Sequence, residues 1–227
     1  MAYGINFLPM PKRQKKKTTQ KTTPAPAKKK TTKKKSSLQP HLKRVSWNSF
    51  NVRQAAAYLS ETLRQKGHDP VLVGAACAAI YAPAIQPKTL DFVITEYHIE
   101  EMEKLMRGFG FQPRELRSFW NPKVSFEIHF SPPPLSAGDE TIEETVVVRS
   151  QKGVVKLLNV TDCVRQRLGI WYRWGDEEGL EQAVKICLQH DVDMQHIKRW
   201  SEWEWAVDKF QEFFSRVTTE KQKKEKR

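Results

Sequence analysis

Apolar positions change period along this chain. Between Phe50 and Lys66, Val52, Ala55, Ala56, Leu59 and Leu63 recur at steps of three and four. That spacing predicts an amphipathic helix, with Gly67 as its stop. A short apolar run, Val71–Val73, then predicts a strand ending at Gly74. A helix of small residues follows over Ala75–Tyr81. The next strand, Leu90–Thr95, carries one carboxylate, Asp91, between Leu90 and Phe92. Ile99–Arg107 reads as a helix with Met102, Leu105 and Met106 inward, ended by Gly108 and Gly110. Val124–Phe130 alternates with period two: Val124, Phe126, Ile128 and Phe130 on one face, Ser125, Glu127 and His129 on the other. Thr145–Arg149 and Val154–Leu158 predict two more strands joined at Gly153.

From Thr161 the period is helical. Thr161 is placed to cap a helix whose Val164, Leu168, Trp171 and Tyr172 face inward. Glu177–Gln189 gives the next helix. Asp193 caps a third, whose Ile197, Trp200, Val207, Phe210 and Phe214 run as one series to the charged end. No internal repeat is present. The order is one helix, an α/β half, then a helical half.

Charge sets the outer limits. Residues 1–44 hold 14 Lys and Arg and no Asp or Glu. Within them, 11–40 are Lys, Thr, Pro, Ala and Ser with almost no apolar side chain to offset the entropy of ordering. The expectation is a disordered tail over 1–44, an α/β core over 45–160, a helical part over 161–217 packed on it, and a charged disordered tail over 218–227. The formal net charge of +13 comes from the tails, because 45–217 carry 20 basic and 24 acidic residues. The folded part is therefore not a basic DNA-binding surface. The tail lysines (Lys15, Lys16, Lys17, Lys28, Lys29, Lys30, Lys33, Lys34, Lys35) can neutralise phosphates in a salt-sensitive, sequence-independent way, so nucleic acid is the expected tail partner. The alternatives are a purely solubilising tail, or an anionic membrane surface or another acidic partner.

Cys77, Cys163 and Cys187 are odd in number, form no CxxC and sit in apolar helical contexts. They read as buried thiols in a reducing compartment. No apolar run is long enough to span a bilayer, and Ile5–Met10 precede the basic residues instead of following them, against a signal peptide. The expected location is cytoplasmic.

Strand, glycine turn, helix, then a strand with an embedded Asp is a way to build a metal and phosphate site. A turn glycine lets the backbone approach phosphates, and carboxylates on adjacent strands hold a divalent cation. On the stretches Gly74-Ala75-Ala76-Cys77-Ala78-Ala79-Ile80-Tyr81 and Lys88-Thr89-Leu90-Asp91-Phe92-Val93 the chain resembles the nucleotidyltransferase-like superfamily, in particular small bacterial members related to abortive-infection and toxin–antitoxin nucleotidyltransferases. Those read GG-A-x-A-x-x-Y, then T-x-D-I-D-F-V. Pro134–Glu140, Thr161–Gly169, the Trp174/Asp176/Gln182/Ala183 pattern and Val192–Glu204 extend the resemblance over roughly 50–205. It implies an α/β (α+β) fold: a nucleotidyltransferase-like small mixed sheet with flanking helices, followed by a helical C-terminal part. It also implies catalytic and metal roles for Asp91 and Glu127, nucleotide binding at Gly74, Ala75, Lys88 and Thr89, and Mg²⁺ with an NTP as ligands.

Two departures bear on activity. Thr89 stands where the first acid belongs and supplies no negative charge, and Ala75 replaces the second residue of the glycine pair. The reading favoured is a non-catalytic or weakly active domain with a nucleic-acid-binding tail. The alternative is an active Mg²⁺-dependent enzyme acting on RNA or protein. His129 shares the Glu127 face and reads as a surface strand histidine. Arg165 and Arg167 read as a solvated helix face, with contact to triphosphate or RNA phosphates as the alternative, Trp200 as core, and one of Trp203 and Trp205 as exposed. Serine-hydrolase, P-loop and dinucleotide motifs are missing from the sequence.

Overall fold

The polypeptide is described over residues 47–226 of a computed structural model. The tail lysines and the expected disorder of 1–44 lie outside these residues. Trp47, in a 3-10 turn over Trp47–Ser49, is buried, and its indole N–H donates to Phe109 O at 2.8 Å. The rings of Phe50, Tyr58, Phe109, Phe111 and Phe126 meet it edge-on.

Helix α1 (Val52–Gln65) starts at a capping box between Asn51 and Gln54 and buries Ala55, Ala56, Leu59 and Leu63. Strand β1 (Val71–Val73) runs directly into helix α2 (Gly74–Tyr81). Strand β2 (Thr89–Val93) and helix α3 (Ile99–Gly108) follow, close to the residues the pattern predicts. Next come β3 (Gln112–Glu115), β4 (Ser118–Trp120), β5 (Glu127–Ser131), β6 (Ser136–Ala137), β7 (Glu140–Thr141), β8 (Thr145–Ser150) and β9 (Gly153–Leu158). The main sheet has seven strands in the order β3-β4-β5-β2-β1-β9-β8. It is mixed: β2/β5 and β1/β9 are parallel, the other pairs antiparallel. The architecture is the α/β class expected from the sequence.

The differences at strand level have simple causes. The sequence of β3, QPRE, carries no apolar alternation, and β4, SFW, has only three residues. β6 and β7 are two residues each, too short to show a period. The strand expected from Val124 begins at Glu127, because Val124 N–H closes a turn onto Asn121 O at 3.2 Å. Phe126, Ile128 and Phe130 are buried as the alternation requires.

The helical part continues the same packed unit. Helix α4 (Val160–Trp174) is capped by Asn159, whose side chain accepts from Asp162 N–H. Thr161, expected as the cap, instead accepts from Asp193 N–H through its hydroxyl at 3.1 Å. Helix α5 (Glu177–Cys187) follows Asp176, and α6 (Met194–Trp203) follows the Asp193 cap. The single helix expected beyond Asp193 is two. Trp205 has φ +56°, and Ala206 N–H reaches back to Ser201 O at 2.9 Å to close the end of α6. Helix α7 (Val207–Glu225) then runs through the segment expected to be a disordered tail from 218. Buried Val217 anchors it, and the Lys223–Glu220 pair at 2.6 Å supports its last turns.

Arg165 and Arg167 also depart from expectation. Both are buried, and being two positions apart they lie on different faces of α4, so neighbours cover it on more than one side. Arg165 Nη1 donates to Asp162 Oδ1 at 2.7 Å, and Nη2 lies 2.6 Å from Glu140 Oε2 as an ion pair without hydrogen-bond alignment. Its guanidinium stands 5.2 Å from the Trp200 ring centre. Trp200 is core as expected, but both Trp203 and Trp205 are exposed. The three cysteines are buried and unpaired. No helix of the described residues is long and apolar enough to cross a membrane.

Candidate functional site

Register brings the candidate residues together. β2 and β5 run parallel with Thr89 opposite Glu127, Leu90 opposite Ile128, Asp91 opposite His129 and Phe92 opposite Phe130. Leu90, Phe92, Ile128 and Phe130 are buried on one face. Thr89, Asp91, Glu127 and His129 must then share the other, since side chains alternate across a strand. The antiparallel partner β1 puts Val73 opposite Asp91, so the β1–α2 turn abuts the same carboxylate.

Gly74 opens α2 at φ +72°, a conformation that favours glycine. A Cβ at this position would lie 2.7 Å from Asp91 Oδ2, so only hydrogens fit between turn and acid. Ala75 follows in the first helical turn, half-exposed. The Gly74 N–H points to Gln166 Oε1 on α4 at 2.8 Å. A side-chain carbonyl thus occupies a donor that the first turn of a helix ordinarily offers to an anion.

The acids are engaged as well. Thr89 Oγ1 donates to Asp91 Oδ2 at 2.7 Å. His129 Nδ1 lies 3.4 Å from Asp91 Oδ1, and Nε2 lies 3.5 Å from Glu127 Oε2. Arg114 on β3 pairs with Glu127 Oε1. A neutral imidazole carries one N–H, so only the imidazolium can donate to both acids. Hydrogen bonding to Asp91 is the main cause that raises the His129 pKa; partial burial opposes it, and the Asp91 and Glu127 charges add to the rise.

This geometry tests the fit of a divalent cation. Asp91 and Glu127 are on the same side of the sheet, as expected, but they address opposite nitrogens of one ring. Thr89 offers a hydroxyl already donated to Asp91. Among the described residues no three His, Cys, Asp or Glu side chains form a metal-holding group. Magnesium favours octahedral oxygen ligands, and this donor set, as arranged, does not fit it.

Lys88 stands just before β2, exposed, and its carbonyl accepts from Glu127 N–H at 2.9 Å. Gln166 and Arg114 belong to the site but have no signal in the sequence: one lies between two arginines of a helix, the other on a strand without alternation. His129 had a signal, its shared face with Glu127, which by itself reads as an ordinary surface histidine.

No protein-family model matches the chain, and no curated protein matches it. Among solved structures the chain is similar to an antigenic nucleotidyltransferase-like protein from Paracoccidioides brasiliensis, at 15% identity and a TM-score of 0.45, over 61% of this chain and 76% of that one.

Proposed function

We propose that this chain is a nucleotidyltransferase-like domain in which metal-dependent transfer is lost or reduced to a trace, and that its lysine-rich N-terminus attaches it to nucleic acid. One observation carries the reading: His129 stands between Asp91 and Glu127. Nucleotidyl transfer needs carboxylates converging on a cation that bridges the triphosphate. Here the group facing the two acids is the His129 ring, whose pKa they raise, and Thr89 contributes no charge to compensate a metal. The Gln166 carbonyl at Gly74 N–H supports the same conclusion, because it fills a place suited to a phosphate oxygen.

The test incubates the full chain with Mg²⁺, each labelled NTP and either an RNA pool or protein acceptors. The expected result is no transfer above background. Mg²⁺-dependent labelling that vanishes in Asp91→Ala would overturn the reading.

A second reading, Mg²⁺-dependent transfer through Asp91 and Glu127, is favoured by the contact of Gly74 with Asp91. It requires His129 and Arg114 to release the carboxylates when nucleotide and metal arrive. Loss of activity in Asp91→Ala and gain in His129→Ala would identify it.

A further inference from the structure

Beside the acids, on the side away from Gly74, the open face of the sheet holds a cleft of about 510 Å³, lined among others by Lys88, Thr89, Trp120, Ser125 and Glu127. That volume is in the range of small-ligand sites. Trp120 ends β4, and continuing the β4–β5 register past Phe119–Ile128 sets it opposite Glu127. Trp120 is 40% exposed as a residue, and no ring of the described residues stacks on it. Lys88 is exposed, and its ammonium has no ion-pair partner among the described residues. An unpartnered aromatic face, a free cation and hydroxyl and carboxylate acceptors therefore line one cavity.

We propose that this cleft binds one nucleotide unit, with its base stacked on Trp120 and its phosphate at Lys88. The proposal rests on the nucleotide-handling reading of this sheet face but needs neither transfer chemistry nor the tail. Stacking tolerates any base, because every base has a π-face. Lys88 supplies the charge for a phosphate. Glu127 disfavours a bare anion and can accept from a sugar hydroxyl or an exocyclic amine, so inorganic phosphate by itself should bind poorly. The unit can come from a free mononucleotide or from a single-stranded nucleic acid.

Ligand-detected NMR titration of the full chain tests this, with AMP, adenosine, inorganic phosphate and a short single-stranded RNA as separate probes. AMP is expected to bind, and Trp120→Ala to weaken it about tenfold or more, the scale of a lost base–aromatic stack. Trp120→Phe should retain most of the affinity. Lys88→Ala should weaken AMP but leave adenosine unchanged. If AMP does not bind below about 10 mM, or binds wild type and both Trp120 variants alike, the proposal is overturned. Should Trp120→Ala fail to fold, the Lys88→Ala contrast between AMP and adenosine decides: equal effects on both sink it. A chain with all twelve lysines of residues 1–44 changed to glutamine separates the two sources and the two readings. RNA binding lost while AMP binding persists is expected. RNA binding that persists there but falls in Trp120→Ala assigns the strand to the cleft and removes the tail from the account.

Discussion

Asp91 Oδ2 lies so close to Gly74 that a methyl group on the glycine would stand 2.7 Å away. Gly74 is also at φ +72°, so alanine there suffers both a clash and backbone strain. We expect Gly74→Ala to cost about 1–3 kcal/mol in a denaturant melt. Adding Asp91→Ala should restore the steric part and leave the strain, so the double variant should melt between the single variant and wild type. Simple additivity would show that the contact is not tight.

His129 faces two carboxylates, and its pKa is raised in the folded state by Asp91 first. A raised folded pKa binds a proton more tightly than the unfolded chain does. The stabilisation is then fully present below the ordinary histidine value of about 6.5, and it is lost as pH rises through the raised value. Thermal melts between mildly acidic and mildly alkaline pH should show wild type losing stability relative to His129→Gln as pH increases. A constant difference across that range would rule out the imidazolium bridge.

Arg165 is almost fully buried between Asp162 and Glu140. Removing it leaves Asp162, itself 10% exposed at the side chain, with an uncompensated charge. Breaking a buried pair costs about 3–5 kcal/mol. Glu140 is 49% exposed and can return to water, so the low end is expected for Arg165→Ala in equilibrium unfolding. A loss under about 1 kcal/mol, the scale of a surface pair, would place this arginine in solvent.

Burial pushes the Cys187 thiol up to about 12 and raises Cys77 well above its usual range. A thiol held protonated and out of solvent is unreactive. A thiol reagent at neutral pH should label none of the three cysteines in the native chain and all of them in denaturant. Fast native labelling of Cys77 would contradict the packing of α2 against α4.

How much of this was legible beforehand depends on the range over which each feature is set. The spacing of Leu90, Asp91 and Phe92, and of Glu127, Ile128 and His129, already placed the acids on polar faces of two strands. Gly74, between an apolar run and a small-residue helix, marked the turn. Alternation could not say that the strands are neighbours in parallel register, with Asp91 against His129. Nor could the helical period of α4 show which face its neighbours cover, so Arg165 and Arg167 read as solvated. The break at Trp205 escaped because the apolar series from Ile197 to Phe214 keeps a helical period across it.

Local spacing along the chain set the periods, the α/β order, the turn at Gly74 and the placement of basic charge in the N-terminal 44 residues. Each of these depends on neighbours a few positions away. Long-range packing brought the partners together: Gln166 at Gly74 from 92 residues along the chain, and the imidazole of His129 between Asp91 and Glu127. Those meetings are fixed by strand register and helix packing over long separations, where a side chain's partner is set by the whole fold and not by its own stretch of chain.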